Sequence, residues 1–392
     1  MDADARCSLS TDDLPFFFDA RHAPLAADAR AVALDPAVLS HDPRAVAALL
    51  AERGLLRACV PASVGGLEAR SPDVVDVRAV CLVREALGWA SGLADTVFAM
   101  QGLGSYPIVL AGTPAQKNTF LPDVLAGRSL AAFAITESEA GSDVAGMQTV
   151  ASRDGDGWVL DGAKTFISNA GIAGHYVVFA NADKALGRKG ITAFIVRPDD
   201  PGFVFEGPIA LLADHPIGSI RFEGCRLGPD RLLGGVGDGF RIAMTTLDAF
   251  RSTVGAAAVG MARRALDEAL DRTRARKQFG SAISEFQSTQ AYLAEMATEL
   301  DAARLLVYRA AWVKDQGAPR VSLEAAMGKM YATEAAQRVI DRALQLHGGT
   351  GVVVGNPCER LYREVRALRI YEGTTEIQRL VIAGQLLARA AR

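Results

Sequence analysis

Tyr371-Glu372-Gly373-Thr374-Thr375-Glu376-Ile377-Gln378, preceded by Gln345-Leu346-His347-Gly348-Gly349, is the part of the sequence from which the rest is read. The apolar segment Ala367-Leu368-Arg369-Ile370-Tyr371 delivers one carboxylate, Glu372, to a glycine, and Thr375-Glu376-Ile377-Gln378 then matches the Thr-x-x-Gln capping box that opens a helix. Glu372 is therefore expected in a turn against a helix N-terminus. Apolar neighbours there partly desolvate a carboxylate and raise its pKa, while backbone N–H groups stay free to hold developing negative charge. A general base beside an oxyanion site needs that combination. The plainer reading of the same segment is a favourable charge at the positive end of a helix dipole.

Working outward, the sequence before this turn has helical periodicity from Phe240 onward. Phe240, Met244, Leu247 and Phe250 form one stripe, and Phe286, Leu293, Met296, Leu300, Val307 and Ala310 form a second, broken by Gly317-Ala318-Pro319. A third helix opens near Ser322, passes Met327, Met330, Ile340 and Leu344, and stops at Gly348-Gly349; a fourth follows Thr375. Long amphipathic helices with short connections predict a four-helix bundle. Upstream, from about Ala131, the texture is β: Trp158-Val159-Leu160, Tyr176-Val177-Val178-Phe179, Ile191-Thr192-Ala193-Phe194-Ile195-Val196 and Ile220-Arg221-Phe222 are separated by turns such as Asp154-Gly155-Asp156-Gly157. These runs predict antiparallel strands, with too few intervening helices for a doubly wound sheet. Residues 35–126 are Ala- and Leu-rich with helical spacing, and residues 94–108 carry no lysine or arginine. The expected fold is mainly α with a middle antiparallel β-domain: residues 1–128 helical, 129–233 β, 234–392 a helical bundle.

Composition excludes several functions. Of 392 residues, 50% are hydrophobic and 22% charged, the pattern of a globular protein. A net charge of −3 gives no general attraction to nucleic acid or an anionic membrane. No apolar run approaches a membrane span, and Met1-Asp2-Ala3-Asp4-Ala5-Arg6 lacks the core of a signal peptide. Five scattered cysteines fit reduced thiols in a cytoplasmic protein, and the five histidines lack the Glu-x-x-His pairing of a di-iron bundle, so no metal is expected. The glycines at 234–239 do not follow the dinucleotide fingerprint and read as a flexible lead into the next helix. The Arg360, Arg363, Arg366 and Arg369 series, mixed with Glu359 and Glu364, reads as a salt-bridged surface.

Two further segments carry chemistry weakly. Thr136-Glu137-Ser138-Glu139-Ala140-Gly141-Ser142-Asp143 is a loop of small polar residues whose N–H groups suit a heterocycle edge or a phosphate, and Arg276-Lys277-Gln278-Phe279-Gly280 joins a cation to an aromatic between two helices. Either alone is more often an ordinary loop. Together with Lys164-Thr165-Phe166-Ile167-Ser168-Asn169 and the two segments above, in this order, they make the chain resemble the acyl-CoA dehydrogenase family, from Val60-Pro61-Ala62-Ser63-Val64-Gly65-Gly66 to the final helix, leaving mainly the first forty residues without counterpart.

That resemblance implies a helical domain, a β-domain and a C-terminal bundle, assembled as a homotetramer that is a dimer of dimers. It implies FAD between the β-domain and the bundle, with Phe133, Ala134, Ile135, Thr136 and Ser142, and with Phe166, Ile167 and Ser168, around the flavin. Arg276, Phe279, Gln287, Gln345, Gly348 and Gly349 are implied to hold the pyrophosphate and adenine of a neighbouring subunit's FAD, and Thr374 and Glu376 to touch the cofactor near the base. Ser142, Asp248, Arg251 and Gly373 correspond to contacts with an acyl-CoA thioester. In the implied reaction Glu372 removes the α-proton while a hydride leaves the β-carbon for flavin N5. The backbone N–H of Glu372 and a ribityl hydroxyl steady the thioester oxygen, and the electrons pass to an electron-transfer flavoprotein. The chain departs from the family pattern at Phe166, where Trp is common, at Ser138-Glu139, where Pro-Gly is frequent, and at Glu376, where Gln is common. Phe250 stands where some members carry the base and cannot titrate. An acyl-CoA oxidase and a non-catalytic scaffold of the same fold remain alternatives.

Overall fold

Four of the five early helices begin where a short polar side chain caps them. In the computed structural model, which describes residues 10–390, Asp42, Asp76, Ser91 and Thr113 each accept a backbone N–H at the start of a helix. The helices are α1 (His22–Leu34), α2 (Pro43–Glu52), α3 (Val77–Ala90), α4 (Gly92–Ala111) and α5 (Pro114–Leu125). Helical structure thus starts ahead of residue 35. Every residue of α3 is buried, and α4 is buried along most of its length, so these two form the centre of the molecule.

The sheet comprises β1 (Ala131–Ala134), β2 (Val150–Asp154), β3 (Gly157–Ser168), β4 (His175–Asn181), β5 (Ile191–Val196), β6 (Phe203–Pro208), β7 (Ile217–Leu227) and β8 (Leu232–Leu233). Their order is β6-β7-β3-β2-β4-β5-β8, with β1 alongside β4. β2 and β3 form a hairpin through the two-residue turn at Gly155-Asp156, as the glycines and aspartates predict. The sheet is antiparallel except at β4, which β1 joins in parallel along its length and β2 at a single pair, Val150 with Asn181. This corrects the expectation of a wholly antiparallel block: β1 arrives from α5, not from a hairpin, so turn geometry does not fix its direction. β4 and β5 are buried on both faces. Val177, Phe179, Ala193 and Ile195 join the core shared with α3 and α4, and Tyr176, Val178, Phe194 and Val196 join the core within the sheet. Their uninterrupted apolar sequence follows from that double burial.

The C-terminal helices are α6 (Gly239–Ala275), α7 (Gln287–Asp315), α8 (Ser322–His347), α9 (Pro357–Val365) and α10 (Thr375–Ala390), with a small hairpin of β9 (Lys277–Gln278) and β10 (Ser281–Ala282) between α6 and α7. The long helices are those the periodicity predicts. α9 is additional. Asn356 caps it, Pro357 begins it, and Cys358, Leu361, Val365 and the following Leu368 make a buried stripe that the intervening arginines obscure in the sequence.

α3 also serves the bundle: Cys81 and Leu82 share a core with Val254, Val307 and Val339. Its approach to α6 is close enough that a Cβ on Gly260 would lie 2.0 Å from the Glu85 carbonyl oxygen. Between α3 and α7, the buried Glu85 carboxylate accepts from Tyr308 Oη at 2.6 Å and Arg304 Nε at 3.1 Å. Cys59, Cys81, Cys225 and Cys358 are buried free thiols, while Cys7 and the first residues lie outside the described part. Among the described residues no helix is long and apolar enough to cross a membrane, and no cluster of His, Cys, Asp and Glu is arranged to hold a metal.

Candidate active site

After α9 the chain makes one 3₁₀ turn, Arg366–Arg369, and then leaves helical geometry: Glu372 has φ +53° and Gly373 φ +92°. A non-glycine residue in the left-handed region is held there by its surroundings. Three hydrogen bonds from two donors hold this turn. Lys329 Nζ donates to the Gly373 carbonyl at 2.7 Å, and Gln378 Nε2 donates to the carbonyls of Glu372 and Gly373 at 3.2 and 3.0 Å. The expected capping box is corrected accordingly. Thr374 caps α10, its Oγ1 accepting from Ile377 N at 3.3 Å; Thr375 Oγ1 instead donates to Glu334 at 2.7 Å, and Gln378 reaches back past the cap. Two adjacent threonines fit the motif in either register, and the Glu334 carboxylate on α8 takes the second one.

Glu372 itself is half-buried, with its Oε2 out of contact with solvent and without a hydrogen-bond partner. Burial raises its pKa above the ordinary carboxylate value, the cations of Arg84, Lys329 and Arg251 oppose that rise, and Asp95 adds to it. Arg84, on α3, is locked in a buried two-bond pair with Asp95 on α4, at 2.8 and 2.7 Å, and also donates to Thr253 Oγ1 at 3.0 Å. Arg251 Nη1 donates to Asp248 at 2.6 Å, whose other oxygen accepts from Ser322 Oγ at 2.8 Å. Phe250 packs edge-to-face on Tyr106 with ring centres 5.4 Å apart. The site therefore holds one unpaired, desolvated carboxylate among cations. Such a group can accept a proton.

On the sheet side, residues 133–136 and 166–168 lie together: Thr165 N donates to the Thr136 carbonyl at 3.0 Å, and Lys164 Nζ to the Ile135 carbonyl at 3.3 Å. Ala134 and Ile167 turn their side chains into the sheet core, which leaves only their backbone for a ligand. Phe166, at φ +54°, is 56% exposed, an unusual place for an aromatic ring. Ser142 lies exposed in its loop. Glu137, in the same loop, is structural: it accepts from Lys164 Nζ at 2.7 Å and from the backbone N–H of Gln148 and Thr149. Ser168 Oγ hydrogen-bonds His215 Nε2 at 2.7 Å, and three residues earlier in that loop the Leu212 carbonyl accepts from Arg363 Nη1 at 2.9 Å. This loop ties the end of β3 to α9 and hence to the Glu372 turn.

The remaining predicted residues form a second group. Arg276, Phe279 and Gln287 are exposed around the β9–β10 hairpin, with Phe279 97% exposed at its tip. Gln345, Gly348 and Gly349 are exposed at the C-terminal end of α8, joined to the same end of the bundle where Arg272 donates to the His347 carbonyl at 3.3 Å. Along α8 this end lies roughly 24 Å from Lys329 at 1.5 Å per residue. The structure brings each group together and keeps the two apart.

Acyl-CoA dehydrogenase family models match residues 16–128 (N-terminal domain), 132–225 (middle domain) and 237–387 (C-terminal domain). The chain belongs to the acyl-CoA dehydrogenase family. It is 41% identical over 331 residues to "Probable acyl-CoA dehydrogenase FadE25" of Mycobacterium tuberculosis, covering 84% of this chain and 83% of that protein. Its fold superposes on butyryl-CoA dehydrogenase from Megasphaera elsdenii with a TM-score of 0.89 and 34% identity, covering 94% and 99% of the two chains. A chain solved in work on the electron transferring flavoprotein of Acidaminococcus fermentans gives the same TM-score at 35% identity, covering 94% and 98%. The family match beginning at residue 16 corrects the expectation that the first forty residues lack a counterpart; α1 shows no clear apolar stripe in the sequence because alanines dominate its buried face.

As an acyl-CoA dehydrogenase the protein is an FAD-dependent oxidoreductase. The residues present fit that cofactor: a half-exposed ring at Phe166 beside the Ser168 hydroxyl, joined through one loop to the elements carrying an unpaired carboxylate. Sequence reading missed Arg84, Asp95 and Lys329 around Glu372, and His215 beside Ser168. The one visible signal, for two of them, is a charge set among apolar neighbours: Arg84 among Leu82, Val83 and Leu87, and Lys329 between Met327 and Met330.

Proposed function

We propose that this protein desaturates an acyl-CoA thioester between its α- and β-carbons, giving the trans-2-enoyl-CoA, with Glu372 as the base. The observation that carries this reading is the Glu372 Oε2 atom, buried and unpartnered in a turn of fixed geometry. Oε2 accepts the α-proton, and the cations of Arg84, Arg251 and Lys329 keep the carboxylate ionised enough to do so although burial opposes it. The backbone N–H of Glu372 is the donor for the charge that develops on the thioester oxygen, and Gly373 leaves room for the substrate beside it. Ser142, Asp248 and Arg251 line the approach of the CoA thioester.

Bound FAD supplies the acceptor for the β-hydrogen. Phe133, Ala134, Ile135, Thr136, Ser142, Phe166, Ile167, Ser168, Thr374 and Glu376 are assigned to the FAD of the same chain. Arg276, Phe279, Gln287, Gln345, Gly348 and Gly349 are assigned to the FAD of a second copy. The spacing along α8 supports this division. It calls for an assembly of copies, a homotetramer by family resemblance, with domains at residues 1–128, 129–233 and 234–392. A short acyl chain is favoured by the likeness to butyryl-CoA dehydrogenase and by the Phe250–Tyr106 pair filling space next to Arg251. An electron-transfer flavoprotein as acceptor is supported by the likeness to the Acidaminococcus chain.

The test is anaerobic loss of flavin absorbance with a panel of straight, branched, cyclic and aromatic acyl-CoAs. Bleaching fastest with short straight chains is expected. No bleaching with any thioester overturns the reading, and rapid reoxidation of the bleached protein by air assigns it as an oxidase.

A further inference from the structure

Lys329 lies in the first third of α8 with no solvent exposure, yet its partner is a backbone carbonyl, Gly373 O at 2.7 Å, and not a carboxylate. An apolar side chain of similar length fills that volume without the cost of burying an ammonium, so the charge needs a physical reason. The other two cations near Glu372 are already committed. Arg84 of α3 is bound through two hydrogen bonds to Asp95 of α4, and Arg251 of α6 to Asp248. Those bonded carboxylates offset part of the charge that the two arginines hold near Glu372. Lys329 has no carboxylate bonded to it, and Glu372 Oε2 has no donor bonded to it. A buried ammonium thus fastens the turn that carries a carboxylate with a buried, unpartnered oxygen, and the two charges attract one another. The remaining charged groups acting on Lys329 are Glu334 of its own helix and Glu376 of α10. Glu334 is bound to Arg369 and Thr375, and Glu376 is exposed.

We infer that Lys329 is a positioning residue for the base: its ammonium pins the Glu372-Gly373 backbone from the bundle side and brings to that turn a buried positive charge bonded to no carboxylate. This rests on the reading of Glu372 as the base. The directions of titration agree with the geometry. Burial pushes Lys329 down to about 8, Glu372 pulls it back up, and Lys329 in turn lowers Glu372. Lys329 is therefore still mostly charged at pH 7. Removing that charge leaves Glu372 with a higher pKa and a turn missing one of its three fasteners.

The experiment uses the FAD-loaded full-length protein and three variants, K329M, K329R and E372Q, with two readouts. The first is the pH profile of anaerobic flavin bleaching by acyl-CoA. K329M is expected to move the acid limb upward by about one to two pH units, as loss of a unit charge at close range in a partly screened site predicts. K329R keeps the charge but misplaces the donor; it retains the wild-type acid limb with a lower plateau. An acid limb unmoved in K329M, or moved as far in K329R as in K329M, overturns the inference. The second readout is thermal unfolding of the same FAD-loaded protein in a double-mutant cycle. K329M is expected to lower Tm more in the Glu372 background than in the E372Q background, and additive shifts overturn the inference. If K329M does not fold, K329Q takes its place in both readouts with the same expected and overturning results. The base assignment fails separately: it falls if E372Q bleaches at the wild-type rate, whatever Lys329 does.

Discussion

At the scale of the residue, Glu372 is both the reactive group and a strain on the fold. Its pKa is raised in the folded protein by burial, so the folded state binds its proton more tightly than the unfolded chain does. Stability therefore falls as pH rises from the unfolded value near 4.5 through the raised folded value, and the penalty is complete above it. E372Q carries no such penalty. Its Tm is expected to equal that of wild type near pH 4 and to exceed it by a margin that grows as pH rises above the unfolded value and then levels off, measured by thermal unfolding of the FAD-free protein from pH 4 to 8. A constant difference across that range contradicts the burial argument. Glu372 was legible in the sequence because its turn, its glycine and the helix start after it are contiguous. Its electrostatic setting was not. Arg84, Asp95, Arg251 and Lys329 come from four helices, and a charge on one helix does not show in the sequence which charge on another it will meet. His215, which reaches Ser168 across 47 positions, is hidden for the same reason.

At the scale of the element, periodicity located the long helices and the strands, while caps and directions depended on tertiary partners. Thr374 caps α10 and Thr375 bonds Glu334, a choice made by a carboxylate on α8 that no local motif contains. The parallel placement of β1 beside β4 follows from the path out of α5, and α9 was masked by arginines over its apolar stripe. The contact between α3 and α6 tests the packing directly. Gly260 and Gly88 let the two backbones meet; a Cβ on Gly88 would come within 2.5 Å of the Ala257 carbonyl oxygen. Gly260→Val is expected to destabilise the protein by about 1–3 kcal/mol or more, since the helices must part to admit it. Because α3 also carries Arg84, the same variant is expected to lower the bleaching rate. A wild-type unfolding midpoint in urea contradicts the close approach.

At the scale of the whole molecule, the candidate site divides into two groups separated along α8. One surrounds Glu372, and the other is an exposed surface at the far end of the bundle with Phe279 at its tip. If the second group serves the FAD of another copy, Phe279→Ser weakens FAD retention about tenfold or more, as removal of an aromatic anchor from an interface does. The Glu372 turn stays intact. Flavin absorbance per chain after dialysis, read together with light-scattering mass, checks this; full retention of FAD in an unchanged assembly contradicts the division. The most direct test of the account returns to the base. Wild-type and E372Q holoenzymes are mixed anaerobically with a short acyl-CoA and flavin absorbance is followed in a stopped-flow instrument. Equal FAD content with bleaching slowed by about 10²–10⁴-fold in E372Q is the predicted result, and bleaching at the wild-type rate contradicts the assignment of Glu372.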